Sequence, residues 1–249
     1  MLSMQSRSLA VGISLAVCGA ANAGLTTVQN HPSEPNHLTI IQNIYGWAFA
    51  GSPAAGFTTT TRAIPITLTR VSDFGLGGTL DIAALSRGTA DDSVWHDGVL
   101  NITAEAKFAG YVQKFGMYAG TDSSAPYINL FNVTGNGYGV GGGTVDLDIG
   151  AIAHSWRWAR AGDGSKFSSR ASDNPDGKDH MVTYLVEGLG NGYGATWLLF
   201  WEDLRANQSS DWDYNDLVVE VNVNMVPTPG AAALAMAGLA CVLVRRKRA

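Results

Sequence analysis

The stretch SDWDYNDLVVEV, residues 210–221, sets Asp211, Asp213 and Asp216 within a run of six positions, with Asn215 among them, just ahead of strand-forming residues. Upstream, WLLFWEDL adds Glu202 and Asp203. Crowded carboxylates repel unless a proton, an arginine or a metal ion stands between them. Asp211, Asp213 and Asn215 alternate like the first oxygen donors of a calcium loop, and hard Ca²⁺ takes six to eight oxygens in a flexible shell. The stretch is not an EF-hand, because Asn222 stands where that loop needs a bidentate Glu. A calcium site here must therefore recruit donors from elsewhere in the chain.

Strand geometry suggests the source. TWLLFWEDL and YNDLVVEVNV flank the polar segment RANQSSDW and can pair as an antiparallel hairpin with a long connection. That pairing brings Glu202 and Asp203 beside the start of the last strand. Asp213 and Asp216 are the leading ligands, followed by Glu202, Asp203 and Asp211; Asn215 donates its side-chain oxygen or caps the turn. In NPDGKDHMVTY, Asp179 could approach the same ion, whereas Asp176 and His180 suit a structured loop before a strand, His180 as a hydrogen-bonding or core-edge residue. Two other readings stay open: a solvated acidic turn paired with Arg205, and catalytic carboxylates. The five histidines, His31, His37, His96, His154 and His180, make no zinc pattern. GxSxG, HExxH and phosphate-loop motifs are absent from the sequence. Glycoside hydrolysis would need two carboxyl groups roughly 5–10 Å apart across a cleft.

The elements that position these residues read as β-structure. Short runs recur, among them LTIIQNI, AIPITLT, LNITAEAKFAGYV, YINLFNV, TVDLDI and MVTYLVEG, separated by Gly and Asn. Val145, Leu147 and Ile149 alternate with Asp146 and Asp148, the pattern of a half-buried strand. WLLFW is apolar on both phases and predicts a central strand covered on both faces. The pentapeptide GNGYG occurs at 135–139 and 190–194 and predicts tight turns, with Tyr138 and Tyr193 covering the adjoining apolar layer or offering an aromatic edge to carbohydrate. Trp47, Phe49, Trp95, Trp156, Trp158 and Trp197 are expected in the core. Together these features predict an all-β, antiparallel β-sandwich or jelly roll, as one domain over residues 24–225.

The ends follow a different logic. Residues 1–23 carry Arg7, an apolar run and Ala21-Asn22-Ala23, the pattern of a secretory signal peptide cut before Gly24. Near the other end, VPTP precedes an uncharged, mainly apolar run over residues 230–244, and Arg245, Arg246, Lys247 and Arg248 follow. As a transmembrane helix it would rise only about 22 Å, at about 1.5 Å per residue, so transient membrane contact is expected. The basic end favours the cytoplasmic face. This tail, residues 226–249, resembles the PEP-CTERM sorting signals recognised by exosortase enzymes, with Thr228 where many relatives have Glu. The resemblance implies exosortase-type processing and display at the cell surface or outside the cell.

The chain has 249 residues, 16 Lys or Arg and 21 Asp or Glu. The two end segments hold Arg7 and the four terminal basic residues but no acid, which leaves 11 basic against 21 acidic side chains between them. Such a balance disfavours nucleic acid and favours a divalent cation. Both cysteines, Cys18 and Cys241, lie in the end segments, so the central region must be stabilised without a disulfide.

NPDGKDHMVTYLV, LLFWEDL and SDWDYNDLVVEV, in that order between about 167 and 223, resemble the domain of unknown function 4114 family of bacterial surface and secreted proteins. Glu202, Asp203, Asp213, Asn215 and Asp216 match its recurrent polar positions, and the resemblance implies no established activity. The sequence thus points first to an exported surface or extracellular-matrix structural protein with a calcium-stabilised β-domain. A glycan-binding, lectin-like module and a glycoside hydrolase are the alternatives, with extracellular polysaccharide or surface proteins as partners.

Overall fold

A computed structural model describes residues 24–83, 90–208 and 210–224. The expected signal peptide and the C-terminal sorting segment from residue 226 lie outside the described residues. In chain order the elements are α1 (His37–Tyr45), β1 (Phe49–Ser52), β2 (Gly56–Thr59), β3 (Thr67–Arg70), β4 (Leu80–Asp81), β5 (Trp95–His96), β6 (Val99–Lys107) and β7 (Gln113–Ala119). They continue with β8 (Tyr127–Val133), β9 (Gly137–Tyr138), β10 (Thr144–Asp148), β11 (Ser155–Gly162), β12 (Ser165–Ser168), β13 (Met181–Glu187), β14 (Ala195–Trp201) and β15 (Leu217–Val223).

The strands form two sheets. The larger runs β1-β2-β3-β13-β14-β15-β6-β10, with β9 on β6; the smaller runs β4-β5-β11-β7-β8, with β12 on β11. All pairings between these strands are antiparallel except the two-residue β4–β5 pair. The all-β sandwich expected from the sequence is the observed fold.

Period-2 geometry gives the large sheet two covered faces. From β14, Trp197, Leu199 and Trp201 enter the core between the sheets, together with Trp95, Trp158 and Phe115 of the smaller sheet. Leu198 and Phe200 point the other way, into a second core with Ile40 and Ile41 of α1 and Phe57 of β2. This is why WLLFW is apolar on both phases. A buried tryptophan removes about 150–250 Å² from water, or about 4–6 kcal/mol of gross burial at about 25 cal/mol per Å². Trp95, Trp156, Trp158, Trp197 and Trp201 are all fully buried, which supplies stability that a disulfide would otherwise give.

Three expectations are corrected. LTIIQNI forms most of α1 rather than a strand: Asn36 caps it by accepting from Thr39 N, and Gly46 ends it in the left-handed region at φ 69°. Ile40 and Ile41 then face the second core, so tertiary burial together with two caps overrides the β-propensity of the isoleucines. Trp47 is 44% exposed, its ring covered by the Arg62 guanidinium at 5.1 Å rather than by the core. The transmembrane helix is not found either: among the described residues no helix is long and apolar enough to cross a membrane, and residues 230–244 lie outside them.

Candidate metal centre

The β14–β15 pairing sets the centre. Trp201 lies opposite Leu217, so the residues just beyond each strand, Glu202 and Asp203 on one side and Asp216 on the other, meet at one end of the sheet. Asp203 N donates to Asp216 Oδ2 at 2.8 Å, and Leu204 N donates to Glu202 Oε1 at 3.0 Å. The connection returns through Asp211, Asp213 and Asn215. Asn215 donates from its backbone N and from Nδ2 to the Asp213 carboxylate, at 3.2 and 2.6 Å, and Nδ2 also reaches Pro35 O at 3.2 Å.

Among the described residues three groups of ligand atoms result, each within 4.8 Å: Glu202 with Asp203 and Asp216; Glu202 with Asp211 and Asp213; and His31 with Glu34 and Asp211. Glu202 belongs to two of them and Asp211 to two, so the acids form one continuous array from the sheet end to the surface. Of the residues predicted from sequence, Glu202, Asp203, Asp211, Asp213 and Asp216 come together, with Asn215 bonded to Asp213. Asp179 does not join any group: its carboxylate accepts from Thr26 Oγ1 at 3.0 Å and from Met181 N at 3.1 Å. His180 is a core-edge residue, stacked on Phe167 at 3.7 Å with Nε2 3.1 Å from Asp176. His31 and Glu34 were not legible as partners, since their proximity to Asp211 arises only from the folded path of the N-terminal segment.

Three buried oxygens of the centre, Glu202 Oε2, Asn215 Oδ1 and Ser210 Oγ, make no hydrogen bond among the described residues, although the Ser210 hydroxyl lies close enough to Glu202 to favour its charged form. Residues Glu202 and Asn215 are 0% and 1% exposed. A buried acceptor left unpaired costs about 1–3 kcal/mol, more when charged. Burial, then Asp211 and Asp203, raise Glu202 to about 7; burial, then Asp211, raise Asp213 to about 7, with Glu34 and Glu202 adding to it. Asp216 is pushed well above the carboxylate range by burial and then by Asp203 and Glu202.

Positive charge is unevenly shared. Arg160 and Lys107 both act on Asp203 and Asp216, and Arg160 Nη2 also donates to Asp203 O. The charges acting on Glu202 and Asp213 are acidic. Arg205 does not relieve them through its Nε, which is buried without a partner among the described residues. A hard divalent cation therefore fits the Glu202–Asp211–Asp213 end best, with Asn215 Oδ1 as a further oxygen donor in reach of the same loop.

The loop is also held in an uncommon backbone state. Trp212 and Tyr214 both have φ 57°, a left-handed conformation that costs a bulky residue about 1–2 kcal/mol. Trp212 and Tyr214 also border a cleft of about 660 Å³, together with Leu25, Phe74, Lys178 and Asp179.

A family model described as Domain of unknown function (DUF4114) matches residues 149–224, the part of the chain that carries β11 to β15 and the acidic loop. No curated protein matches the chain. Among solved structures, the C-terminal domain of the BC2L-C lectin from Burkholderia cenocepacia is 17% identical with a TM-score of 0.34, over 54% of this chain and 97% of that one. The Ralstonia solanacearum high-affinity mannose-binding lectin is likewise 17% identical at a TM-score of 0.34, over 55% of this chain and all of that one. At that TM-score the description of the fold rests on the sheet topology.

Proposed function

We propose that this chain is an exported, noncatalytic β-sandwich of the cell surface or extracellular matrix, whose terminal hairpin is locked by calcium held at Glu202, Asp211 and Asp213. The observation that carries the reading is the pair of buried, unpartnered oxygens, Glu202 Oε2 and Asn215 Oδ1, within an array of acids. An ion bound only by the folded state stabilises it by mass action, by about 2.7 kcal/mol at a hundredfold excess over Kd. Calorimetry with CaCl₂ is expected to show binding and a rise in Tm that EGTA reverses. No heat of binding, with the same Tm in calcium and chelator, would defeat the reading. Export rests on the sequence pattern of residues 1–23, and exosortase-type processing on that of 226–249; mass spectrometry of the mature protein tests both.

A second reading, a glycan-binding module, is favoured by the cleft beside Trp212. Its border combines the rings of Trp212 and Phe74, the latter 47% exposed, with a few polar groups, the make-up of small-ligand sites. A hydrolase would need a second carboxyl group across that cleft, whereas its described border holds the single carboxylate Asp179, already committed to Thr26 and Met181. A glycan array tests the binding reading, and a polysaccharide turnover panel tests the hydrolase.

A further inference from the structure

We infer that the cleft bordered by Trp212 and Phe74 binds neutral pyranose carbohydrate more tightly when the acidic centre holds its cation, a coupling that rests on the calcium reading above. One short loop forms a wall of both sites. Its odd-numbered residues, Asp211 and Asp213, join Glu202, and Asn215 adds an unpartnered oxygen; its even-numbered residues, Trp212 and Tyr214, border the cleft. Trp212 and Tyr214 both adopt the left-handed conformation within this loop.

The two even-numbered residues are not equally fixed. Tyr214 is fully buried and its hydroxyl donates to Asp179 O at 3.1 Å, so it stays in place through its own packing. Trp212 is half-buried, with its ring 5.3 Å from that of His180 and 6.1 Å from that of Tyr214. Among the described residues its backbone is tied by one bond, from Gln29 N to Trp212 O at 2.9 Å. Trp212 also packs against the edge of the second core, so its position is shared between that packing and the flanking Asp211 and Asp213. Those carboxylates repel each other and Glu202, and a divalent ion reverses the sign of that force. With the ion bound the loop keeps its left-handed turns and presents the indole to the cleft; without it the loop can relax to ordinary φ values and withdraw the indole.

The chemistry of the border selects the ligand. The exposed Phe74 and half-buried Trp212 bring aromatic surface suited to the C–H face of a sugar ring, and Lys178 and Thr27 bring polar groups for its hydroxyls. Asp179 on the border, and the acidic array behind Trp212, disfavour an anionic ligand.

Isothermal titration with cellohexaose, mannohexaose and an oligogalacturonate, each in CaCl₂ and in EGTA, tests the inference. At least one neutral oligosaccharide is expected to bind in calcium. EGTA or Trp212→Ala should weaken that binding about tenfold or more, within the usual range of coupling between sites. Trp212→Phe should retain most of it, and circular dichroism should show both variants folded. Calcium binding itself should survive Trp212→Ala. If calcium binds but no neutral oligosaccharide does, or if only the oligogalacturonate binds, the cleft assignment fails while the metal reading stands. Sugar binding that is indifferent to EGTA or to Trp212→Ala would overturn the coupling, and absence of calcium binding would overturn the metal reading and the coupling together.

Discussion

His37 Nε2 lies 3.0 Å from the backbone carbonyl of Asp213, across 176 positions of sequence. A carbonyl can only accept, so Nε2 carries the proton and Nδ1 is the acceptor for the Tyr184 hydroxyl at 2.9 Å. The ring also stacks on Phe200 at 3.9 Å. Helix α1 thus fixes both the outer face of the large sheet and the backbone of the acidic loop.

Replacing His37 with Phe keeps the stack and removes both bonds. Two buried polar groups lose a partner at about 1–3 kcal/mol each, so a loss of about 2–6 kcal/mol in urea unfolding is expected. Calcium affinity should fall as well, because the main chain of Asp213 loses its anchor. A variant with unchanged stability would show that α1 does not brace the loop.

Glu202→Gln separates repulsion from metal binding. The amide keeps the shape but removes a buried charge that Asp211 and Asp203 oppose. In EGTA the variant should melt at or above the wild-type Tm; in calcium it should melt below it, because a ligand shared by two of the acid groups is gone. A parallel drop under both conditions would mean that Glu202 acts through packing alone.

Gly116 in β7 tests how tightly the smaller sheet is closed. A Cβ there would lie 2.1 Å from Ile128 O on β8, where the register shifts between Phe115 and Gly116. Backbone cannot yield as a side chain tip can, so Gly116→Ala is expected to cost about 1–3 kcal/mol. Thermal melts would show it, and a neutral outcome would indicate that β8 is loosely held.

The terminal hairpin was legible because both signals act over short distances: period-2 burial in β15 and the two-faced apolar run of β14. The convergence of Glu202 and Asp203 with Asp216 follows from that register, and the returning connection brings Asp213 to Glu202. Asp179 was expected near the ion from its place before β13, but Thr26, on a segment 153 positions away, takes its carboxylate instead. The same long-range path brings His31 and Glu34 to Asp211, with nothing in their local sequence to announce it. For α1, isoleucines that favour a strand in isolation are overruled by a cap at each end and by an open face of the large sheet. Trp47 sits just after that helix, where Arg62 rather than the core covers it.

Glu105 gives the fold a pH dependence of known sign. Burial, then the neighbouring Glu220, raises its carboxyl to about 7, against an ordinary value near 4.5. Glu220 accepts from Tyr45 Oη at 2.9 Å and from Asn222 Nδ2 at 2.7 Å, so it is held in place beside Glu105. Between these two pH values the folded state binds more protons than the unfolded chain, and stability falls as pH rises. The contribution is favourable below about pH 4.5, fades through the window and is fully lost above about pH 7. Glu105→Gln removes the slope. Because Glu105 is partly exposed, the gain of the variant over wild type at pH 8 is expected to be about 1–2 kcal/mol rather than the full shift, with little difference at pH 4.5. Urea unfolding of both proteins at the two pH values measures it. A constant difference between them would show that Glu105 is not protonated by folding.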